Sequence, residues 1–534
     1  MAVSIAGSNY TIISGCESMS DGGTWTFNKG EIDGGVWKQN VNSLVGTLAS
    51  IGTNDAYVTR SSGVWDLENK HLRMWFLTTV GSKLESDANG GIQIFVYNGS
   101  VTGYWKVSGS TTYPGGWINL VVDTARACDS GTKPADMTQI TRVGMRMVLS
   151  GVAKNALNTW LDHVCVCDGL ILYGDDGGGS FTFDNAYDLE NTPATGGYGT
   201  LRKFGPVFFS TGDLTIGDSA GVNACDFADT SQVVAFEDRL VNSSLYALNI
   251  VGNGTGATSV VLGEETTGNQ GVKGCSFLTQ GTQDFSVDMI DTDVDTLGIY
   301  GCTFNNASTI NLPTSAANKE VFGNQFIGCG VIDIDTCAFE NNTIIEPDTY
   351  GIYIDTPLHR SKDLTFIMSG TSSGVHMATD DETDFDNFQF SGTDSGGPYD
   401  VYHSTAGDLT INNVGTPRSN GEFASEGAAG STTFLTAISI NITVQDKNTD
   451  PIQNAQVAVY KTSDRTEIMN DDTDIDGFIT TIYSGGATGI EIRVRKASGG
   501  ATKYRNFSTL GSTGSDDFNL LVTLVEDTIN TATT

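Results

Sequence analysis

Short runs in which apolar and polar residues alternate recur through the first 173 positions of the chain. Each run is bounded by Gly, Asn, Asp or Ser, which are residues that favour turns between strands. A period of two predicts strands with one buried face and one face in water. Residues 1–173 are therefore predicted to form an antiparallel β-sandwich. The clearest runs cover residues 71–77, 92–97, 117–123, 143–149 and 160–166.

A different pattern, a short motif that ends in Phe, repeats between residues 206 and 420. Phe304 lies 27 positions after Phe277, and Phe326 lies 22 positions after Phe304. Repeats of this length, built from short strands and sharp turns, are typical of a solenoid with stacked coils. We predict a right-handed parallel β-helix over residues 206–420, with the Phe and neighbouring Cys side chains stacked inside. Phe339 follows Phe326 by only 13 positions, so two strands of one coil are expected to carry the motif.

Three further segments complete the predicted organisation. Residues 174–205 are rich in Gly and are predicted to be a connector, while residues 421–434 are mostly small and are predicted to be a linker. Strict alternation resumes over residues 438–444, and further strand-like runs follow. Residues 435–534 are accordingly predicted to form an Ig-like sandwich. The whole chain is assigned to the all-β class.

The chain is strongly acidic, because its 534 residues include 28 Lys and Arg but 63 Asp and Glu, a net charge of −35. Binding to nucleic acid or to anionic lipid needs clustered basic residues, so neither partner is expected. No apolar run approaches the length of a membrane-spanning helix, and the first residues do not resemble a signal peptide. The nine cysteines are odd in number and have apolar surroundings, which predicts reduced, buried side chains.

A short acidic repeat is the main candidate for chemistry. The unit Ile-Asp-Thr occurs at 334–336 and again, 20 residues later, at 354–356. In stacked coils this spacing would place Asp335 and Asp355 about 5 Å apart on the outer face, with Asp333 beside them. Two close carboxylates suit a glycoside hydrolase, and their oxygens also suit Ca²⁺. The favoured interpretation is a solvated acidic face, and the other two interpretations stay open.

Several tryptophans of the first region are candidates for stacking on sugar rings, with a place in the core as the alternative. The five histidines include no His-x-x-x-His pair, and the cysteine spacing does not match a zinc site. Nucleotide-binding and Gly-x-Ser-x-Gly motifs in their required context are also lacking, so no metal and no cofactor are predicted. The candidate glycan-binding residues are Trp37, Trp65, Trp105 and Trp117.

Two parts of the chain resemble known families. Residues 115–123 (GGWINLVVD), 140–150 (ITRVGMRMVLS) and 158–169 (NTWLDHVCVCDG) follow one another as in concanavalin-like jelly rolls and carbohydrate-binding modules. This resemblance implies a jelly-roll-like fold and a glycan ligand. Residues 451–460 (PIQNAQVAVY) and 473–477 (TDIDG) resemble the carboxypeptidase-regulatory or transthyretin-like family, whose sandwich domains are structural or adhesive and share no active site.

A sandwich, a β-helix and an Ig-like domain in one acidic chain resemble the virion surface proteins of tailed bacteriophages, such as tailspikes, fibres and head-decorating proteins. The resemblance implies a structural and adhesive homotrimer that is made in the host cytoplasm and displayed on the virion surface. Its expected partners are other virion proteins and a host surface glycan. The alternative is a tailspike depolymerase that hydrolyses a bacterial surface polysaccharide with Asp333, Asp335 and Asp355. The non-enzymatic hypothesis is favoured because no sharp catalytic motif is present, and the position on the virion stays open.

Overall fold

The computed structural model describes most of the chain, and almost all of the regular secondary structure in the described part is β. The predicted all-β class is therefore confirmed. The chain divides into two compact units, Met1–Gly330 and Val331–Thr534. The described part holds no helix with the length and hydrophobicity that a membrane crossing requires. The described residues are 3–47, 52–150, 158–174, 182–192, 196–217, 225–227, 232–238, 245–252, 259–263, 274–289, 296–313, 319–334, 336–369, 372–392, 399–414, 423–425, 430–436, 438–483, 488–496, 503–513 and 517–527.

The first unit begins with a sandwich of two six-stranded antiparallel sheets. Short 3-10 helices interrupt the connections at Gly81–Lys83, Asp87–Asn89 and Met137–Gln139. The strands of this part are β1 (Val3–Ser8), β2 (Thr11–Ser14), β3 (Thr24–Thr26), β4 (Glu31–Asp33), β5 (Ser43–Thr47), β6 (Gly52–Thr59), β7 (His71–Thr78), β8 (Ile92–Tyr97), β9 (Thr102–Ser108), β10 (Ile118–Asp123), β11 (Ser130–Gly131), β12 (Arg142–Leu149), β13 (Asn158–Val166) and β14 (Gly169–Gly174).

The two sheets of the sandwich bury the apolar residues of each alternating strand between them. One sheet has the order β10-β7-β13-β5-β4, with β2 paired to β13, and the other has the order β11-β9-β8-β12-β6-β3. Leu72, Met74 and Phe76 of β7 are fully buried, as are Val143 and Met145 of β12. Successive side chains of a strand point to opposite faces, so these residues share the core face of each strand. Arg73 and Trp75 on the other face of β7 are buried as well.

The second part of this unit consists of short strands that pair in parallel with strands of later turns of the chain. These elements are α1 (Phe183–Glu190), β15 (Leu201–Phe204), β16 (Val207–Ser210), β17 (Asp213–Ile216), β18 (Cys225–Phe227), β19 (Val233–Phe236), β20 (Ala247–Ile250), β21 (Ser259–Leu262), β22 (Ser276–Thr279), β23 (Phe285–Asp288), β24 (Thr296–Tyr300), β25 (Thr303–Asn305), β26 (Ala307–Asn311), β27 (Lys319–Phe322) and β28 (Gln325–Ile327). Their order is β14-β17-β20-β23-β26 in one sheet, β16-β19-β22-β25-β28 in a second and β18-β21-β24-β27 in a third.

Two of these parallel sheets start with an antiparallel strand. The strand β1 pairs with β14 antiparallel, from Val3 opposite Gly174 to Ser8 opposite Gly169, and the strand β15 pairs with β16 in the same manner. The predicted connector also holds α1, which begins after Thr182. The Thr182 hydroxyl accepts a hydrogen bond from the backbone N–H of Asn185, whose side chain accepts one from the backbone N–H of Thr182. This capping arrangement satisfies two backbone donors.

The repeated Phe residues stack in register inside the parallel part. Phe277 lies opposite Phe304, and Phe304 lies opposite Phe326. Their ring centroids are 5.5 and 5.3 Å apart, and the three side chains are buried. Cys275 and Cys302 are buried next to them, and eight of the nine cysteine side chains are buried overall. The stacked arrangement follows because a single coil cannot cover its own inner face.

The second unit contains further parallel strands and then a smaller sandwich. The parallel strands are β29 (Ile332–Asp333), β30 (Ala338–Glu340), β31 (Thr343–Ile345), β32 (Tyr350–Ile354), β33 (Arg360–Lys362), β34 (Thr365–Ile367), β35 (Ser373–Met377), β36 (Thr383–Asp386), β37 (Gln389–Ser391), β38 (Tyr399–His403), β39 (Leu409–Val414), β40 (Phe423–Ser425) and β41 (Thr432–Thr436). They form the orders β29-β32-β35-β38-β40, β31-β34-β37 and β30-β33-β36-β39-β41.

The segment predicted as a linker differs from the expectation. The strand β40 and the beginning of β41 lie in residues 421–434, and they pair in parallel with β38 and β39. Sequence composition misled the prediction because small residues surround these two short strands. Parallel pairing therefore continues to Thr436 rather than ending near residue 420.

The C-terminal sandwich has two sheets, with the orders β45-β42-β48 and β44-β43-β46-β47. Buried and partly exposed residues alternate strictly along β42, where Ile440, Ile442 and Val444 are fully buried. They pack in one apolar core with residues of β43 and β46. The strands of this part are β42 (Ile438–Gln445), β43 (Gln456–Lys461), β44 (Glu467–Asp472), β45 (Phe478–Tyr483), β46 (Gly489–Arg495), β47 (Phe507–Ser512) and β48 (Phe518–Thr523).

Candidate functional site

The outer face of the sheet β11-β9-β8-β12-β6-β3 carries a row of aromatic side chains. Ile94 and the apolar residues two positions before and after it point into the core from β8, so Phe95 and Tyr97 point outward. The register places Gly144 between Tyr57 and Phe95, and it places Phe95 opposite Tyr104. We call the outward side chains of these strands the platform, namely Asp55, Tyr57, Phe95, Tyr97, Tyr104, Arg142 and Arg146.

The rings of the platform touch one another across the strands. The Tyr57 and Phe95 centroids are 5.9 Å apart, and the Phe95 and Tyr104 centroids are 5.5 Å apart. Gly144 makes this spacing feasible, because a Cβ atom at that position would overlap with Cβ of Tyr57 and with the carbonyl oxygen of Ala56. Tyr57 can therefore lie against the backbone of β12 beside Phe95.

Two guanidinium groups lie over the rings. The Arg142 guanidinium lies 5.3 Å from the Tyr57 ring and 4.8 Å from the Tyr97 ring, and the Arg146 guanidinium lies 4.1 Å from the Tyr104 ring. Such contacts between a cation and a ring face are attractive. Arg142 and Arg146 share one face because they are four positions apart on β12.

A carboxylate fixes one of these cations. Arg146 donates two hydrogen bonds to the Asp55 carboxylate, at 2.7 and 2.8 Å. The bidentate contact raises the pKa of the Arg146 guanidinium above its ordinary value. Both side chains remain partly exposed. Phe95 is only 5% exposed, so the rings that a ligand can reach are the partly exposed Tyr57, Tyr97 and Tyr104. Together with forked donors and a carboxylate acceptor, these rings suit a ligand with an apolar face and hydroxyl groups at its edge.

The four tryptophans predicted from the sequence do not lie together on this platform. Trp105 points inward from β9 and is fully buried, and Trp65 is only 6% exposed. The Trp105 indole N–H donates to the carbonyl oxygen of Arg126. Neither Trp65 nor Trp105 offers a ring face to a ligand: alternation along β9 turns Trp105 into the core, and Trp65 packs in the same core from outside the strands. Trp37 is 40% exposed, and Trp117 lines a separate cleft.

The acidic column predicted in the second unit is only partly described. Asp333 is exposed on β29 and lies opposite Tyr353 rather than opposite an aspartate. Asp355 is exposed just after β32, and Asp335 lies outside the described residues. Burial raises the pKa of the Tyr353 hydroxyl, and the nearby charges of Asp355 and Asp333 add to this effect. The two described carboxylates therefore flank a tyrosine.

An aromatic column that the sequence did not indicate runs along the same outer face. Tyr353 lies opposite His376, which in turn lies opposite Tyr402. The Tyr350 ring lies 4.5 Å from the His376 ring and 5.0 Å from the Tyr402 ring. All four side chains are partly exposed. Only the parallel register brings these residues together, since they are spread over more than fifty positions of the chain.

Buried charged groups fasten the connector of the first unit to the sandwich. Arg73 is fully buried and donates hydrogen bonds to the backbone oxygens of Cys167, Gly199 and Thr211. Glu190, at the end of α1, is also fully buried, and its carboxylate accepts hydrogen bonds from the backbone N–H groups of Thr200 and Leu201. Burial raises the pKa of Glu190 to about 7. Within the described residues, no three His, Cys, Asp or Glu side chains are grouped to hold a metal ion.

Comparisons with known proteins give a limited result. No protein-family model matches the chain, and no curated protein matches it. Six chains of solved structures do match. One comes from a study of carbohydrate-binding modules of the β-sandwich superfamily, at 11% identity and a TM-score of 0.19, and the match covers 30% of this chain and 56% of that one. Another is a family 11 carbohydrate-binding module from Clostridium thermocellum in complex with a β-1,3-1,4-mixed-linked tetrasaccharide. It also has 11% identity and a TM-score of 0.19, over 31% of this chain and 89% of that one.

Proposed function

We propose that the N-terminal sandwich binds a glycan on the platform, and that the protein acts as a structural and adhesive protein rather than as an enzyme. The observation that carries this proposal is the row of partly exposed rings of Tyr57, Tyr97 and Tyr104, beside Arg142 and Arg146. Predictions from the sequence alone had pointed to tryptophans of the same domain.

A sugar ring matches the chemistry of this row. Its C–H groups form an apolar face that packs on aromatic rings, and its hydroxyl groups both donate and accept hydrogen bonds. Arg142 and Arg146 supply donors, and the Asp55 carboxylate supplies an acceptor. Two ring contacts at about 1 kcal/mol each, together with two charge-assisted hydrogen bonds at about 1.5–2 kcal/mol each, correspond to a dissociation constant on the order of 0.1 mM. Binding of this strength becomes adhesive when several copies act together.

The same proposal extends to the other domains of the chain, to its oligomeric state and to its location. The repeated parallel register and the Phe stack support a right-handed parallel β-helix in the parallel-paired part of the chain, and the seven strands of residues 438–523 support an Ig-like domain. We propose a homotrimer on a virion surface, made in the host cytoplasm, with other virion proteins and a host surface glycan as partners. The motif resemblances of the two sandwiches support this setting.

A glycan array followed by titration calorimetry tests the binding proposal. The purified full chain is screened first, and the best neutral oligosaccharide is then titrated into the wild type and into Tyr97→Ala and Arg146→Ala. Tyr97→Ala should bind about 5-fold more weakly, because it removes a ring contact of about 1 kcal/mol. Arg146→Ala should bind at least about 10-fold more weakly, because it removes a charge-assisted hydrogen bond of about 1.5–2 kcal/mol. Arg493→Ala is the matched control. The Arg493 guanidinium lies 5.8 Å from the Tyr460 ring and donates to Glu491, but it belongs to the C-terminal sandwich.

The control variant should bind like the wild type. If no glycan on the array binds, or if Tyr97→Ala and Arg146→Ala bind as tightly as Arg493→Ala, the platform is not a glycan site. Melting temperatures of all variants are measured in parallel, so that a loss of binding is not confused with a loss of folding.

A second candidate function is hydrolysis of a bacterial surface polysaccharide at the aromatic column of the second unit. The observation that favours it is the position of Asp333 and Asp355 beside Tyr353, on a face that also carries His376 and Tyr402. New reducing ends are measured after incubation with capsule or lipopolysaccharide. Activity should be lost in a triple variant in which Asp333, Asp335 and Asp355 are replaced by Asn, and it should persist in Asp464→Asn. Activity that survives the triple variant would remove this assignment.

A further inference from the structure

A cleft of about 660 Å³ lies in the first unit, along the outer edge of β10. All six residues of β10 line it, together with Lys38, Trp75 and Trp117, and residues of the connector and of the first parallel strands complete its walls. Its volume falls within the range of small-molecule sites, about 300–1,000 Å³. The platform faces away from this cleft, because it belongs to the other sheet of the sandwich.

The lining of the cleft has more basic than acidic residues, unlike the chain as a whole. Five of its 25 lining residues are Lys or Arg and three are Asp or Glu, whereas the whole chain has 28 basic and 63 acidic residues. The five basic residues are Lys38, Lys106, Arg126, Arg202 and Lys203. A walled cleft concentrates such charges and attracts anions. Three of these cations already pair with carboxylates, namely Arg126 with Asp129, Arg202 with Glu237 and Lys203 with Asp184. A negatively charged ligand would therefore depend on the other two, Lys38 and Lys106.

Two of these cations make their described hydrogen bonds to neutral oxygens. The Lys38 ammonium lies 3.2 Å from Oδ1 of Asn191 and 4.4 Å from the centre of the Trp75 ring. The Lys106 ammonium lies 2.9 Å from the carbonyl oxygen of Ala88. Burial lowers the pKa of Lys38, so this ammonium lacks part of the solvation that an exposed lysine has. A carboxylate would restore that stabilisation by direct pairing.

The carboxylates that line the cleft already have partners. Glu237 pairs with Arg202 at 3.1 Å, and Asp238 accepts hydrogen bonds from the backbone N–H groups of Thr282 and Gln283. Asp123 accepts a hydrogen bond from the backbone N–H of Ala125. These contacts hold the three acids in place.

One buried amide in the cleft lacks a hydrogen-bond partner among the described residues. Asn119, on β10, is 7% exposed, and neither its Nδ2 nor its Oδ1 is hydrogen-bonded within the described chain. Its side chain packs against Gly199 of the connector. A buried amide without partners is costly, so a bound group that both donates and accepts would stabilise it. A pair of neighbouring sugar hydroxyls has this property.

We propose that the cleft is a second saccharide site, which binds an acidic sugar through its carboxylate at Lys38 and through its hydroxyl groups at Asn119. Trp117, which is partly exposed, supplies the apolar wall against which the ring packs. The nearby guanidinium of Arg202 adds a second basic contact, and it also donates to the carbonyl oxygen of Asn119. This site would select uronate-containing glycans, and it does not depend on the platform.

Isothermal titration of the full chain with tetragalacturonate tests the proposal, with a neutral galactose tetrasaccharide as the reference ligand. The wild type should bind the uronate at low ionic strength, and the affinity should fall as NaCl is raised. Lys38→Met and Asn119→Leu should each weaken uronate binding about 10-fold or more, and Lys38→Arg should retain most of it. Lys461→Met is the matched control, because the Lys461 ammonium lies 5.5 Å from the Tyr483 ring outside the cleft. It should leave uronate binding unchanged.

Several results would overturn this site. One is that the wild type does not bind tetragalacturonate. A second is that the neutral tetrasaccharide competes with the uronate and binds equally well. A third is that Lys38→Met binds the uronate with unchanged affinity. Inorganic phosphate is included as a probe of charge alone, and displacement of the uronate by phosphate at equal concentration would contradict a saccharide site. Should Asn119→Leu fail to fold, Lys38→Met and Lys38→Arg still decide the question. A platform that fails its own glycan test leaves these results unaffected.

Discussion

Replacing Phe304 with Ala should lower the free energy of unfolding by about 4 kcal/mol. Phe304 is fully buried between Phe277 and Phe326, at centroid distances of 5.5 and 5.3 Å and interplanar angles of 19° and 6°. Truncation of a buried Phe to Ala costs about 3–5 kcal/mol, which includes the cavity that remains. Stacked ring pairs contribute about 0.5–1.5 kcal/mol each, and this substitution removes two of them, so a value in the upper half of the range is expected.

Guanidinium denaturation followed by far-UV circular dichroism measures this loss. Phe204→Ala is the matched control, because Phe204 is 78% exposed, and it should change the free energy of unfolding by less than about 0.5 kcal/mol. Phe304→Leu keeps most of the buried apolar volume and should fall between the two variants. Equal stability of Phe304→Ala and Phe204→Ala would refute the argument that the Phe stack holds the parallel strands together.

Two further predictions concern a close approach and a buried acid. Gly144→Ala should weaken glycan binding on the platform and lower stability by about 1–3 kcal/mol, because the new Cβ overlaps with Tyr57, and calorimetry with thermal melting measures both effects. Glu190 keeps its proton in the folded chain up to about pH 7, whereas in the unfolded chain it ionises near its ordinary 4.5. The protonated carboxyl therefore contributes fully to the free energy of unfolding below about pH 4.5. This contribution, about 3 kcal/mol, is lost as the pH rises to about 7. Glu190→Gln should lack this part of the pH dependence, and an unchanged slope of stability against pH would contradict the assignment.

Much of the fold follows from local sequence patterns. The run at residues 92–97 coincides with β8, and the run at 143–149 lies within β12, because alternation alone specifies a half-buried strand. The 27- and 22-residue spacings place Phe277, Phe304 and Phe326 in register. Phe326 and Phe339, which are separated by the short spacing, lie on two different strands, β28 and β30.

The candidate sites could not be predicted in the same way. The platform depends on which strands become neighbours, and no local pattern places Tyr57 beside Phe95 across Gly144. The tryptophan content indicated the domain that carries the aromatic surface. Whether a given ring lies on that surface depends on the direction of its side chain, and Trp105 points into the core. A count of outward aromatic residues on the alternating runs would have indicated Phe95 and Tyr97. Nothing in the local sequence indicates that the charged side chains of Arg73 and Glu190 are buried, because long-range packing alone buries them.

The antiparallel strands β1 and β15 have a consequence for association between molecules. A stack of parallel strands can keep growing, because its last strand always presents unpaired backbone N–H and C=O groups to a further strand. Here β1 runs against β14 and β15 runs against β16, so two of the sheets begin with a strand of reversed polarity. The parallel register of these two sheets therefore ends within the chain itself, and a further strand would have to pair with β1 or β15 rather than with a strand of the repeat.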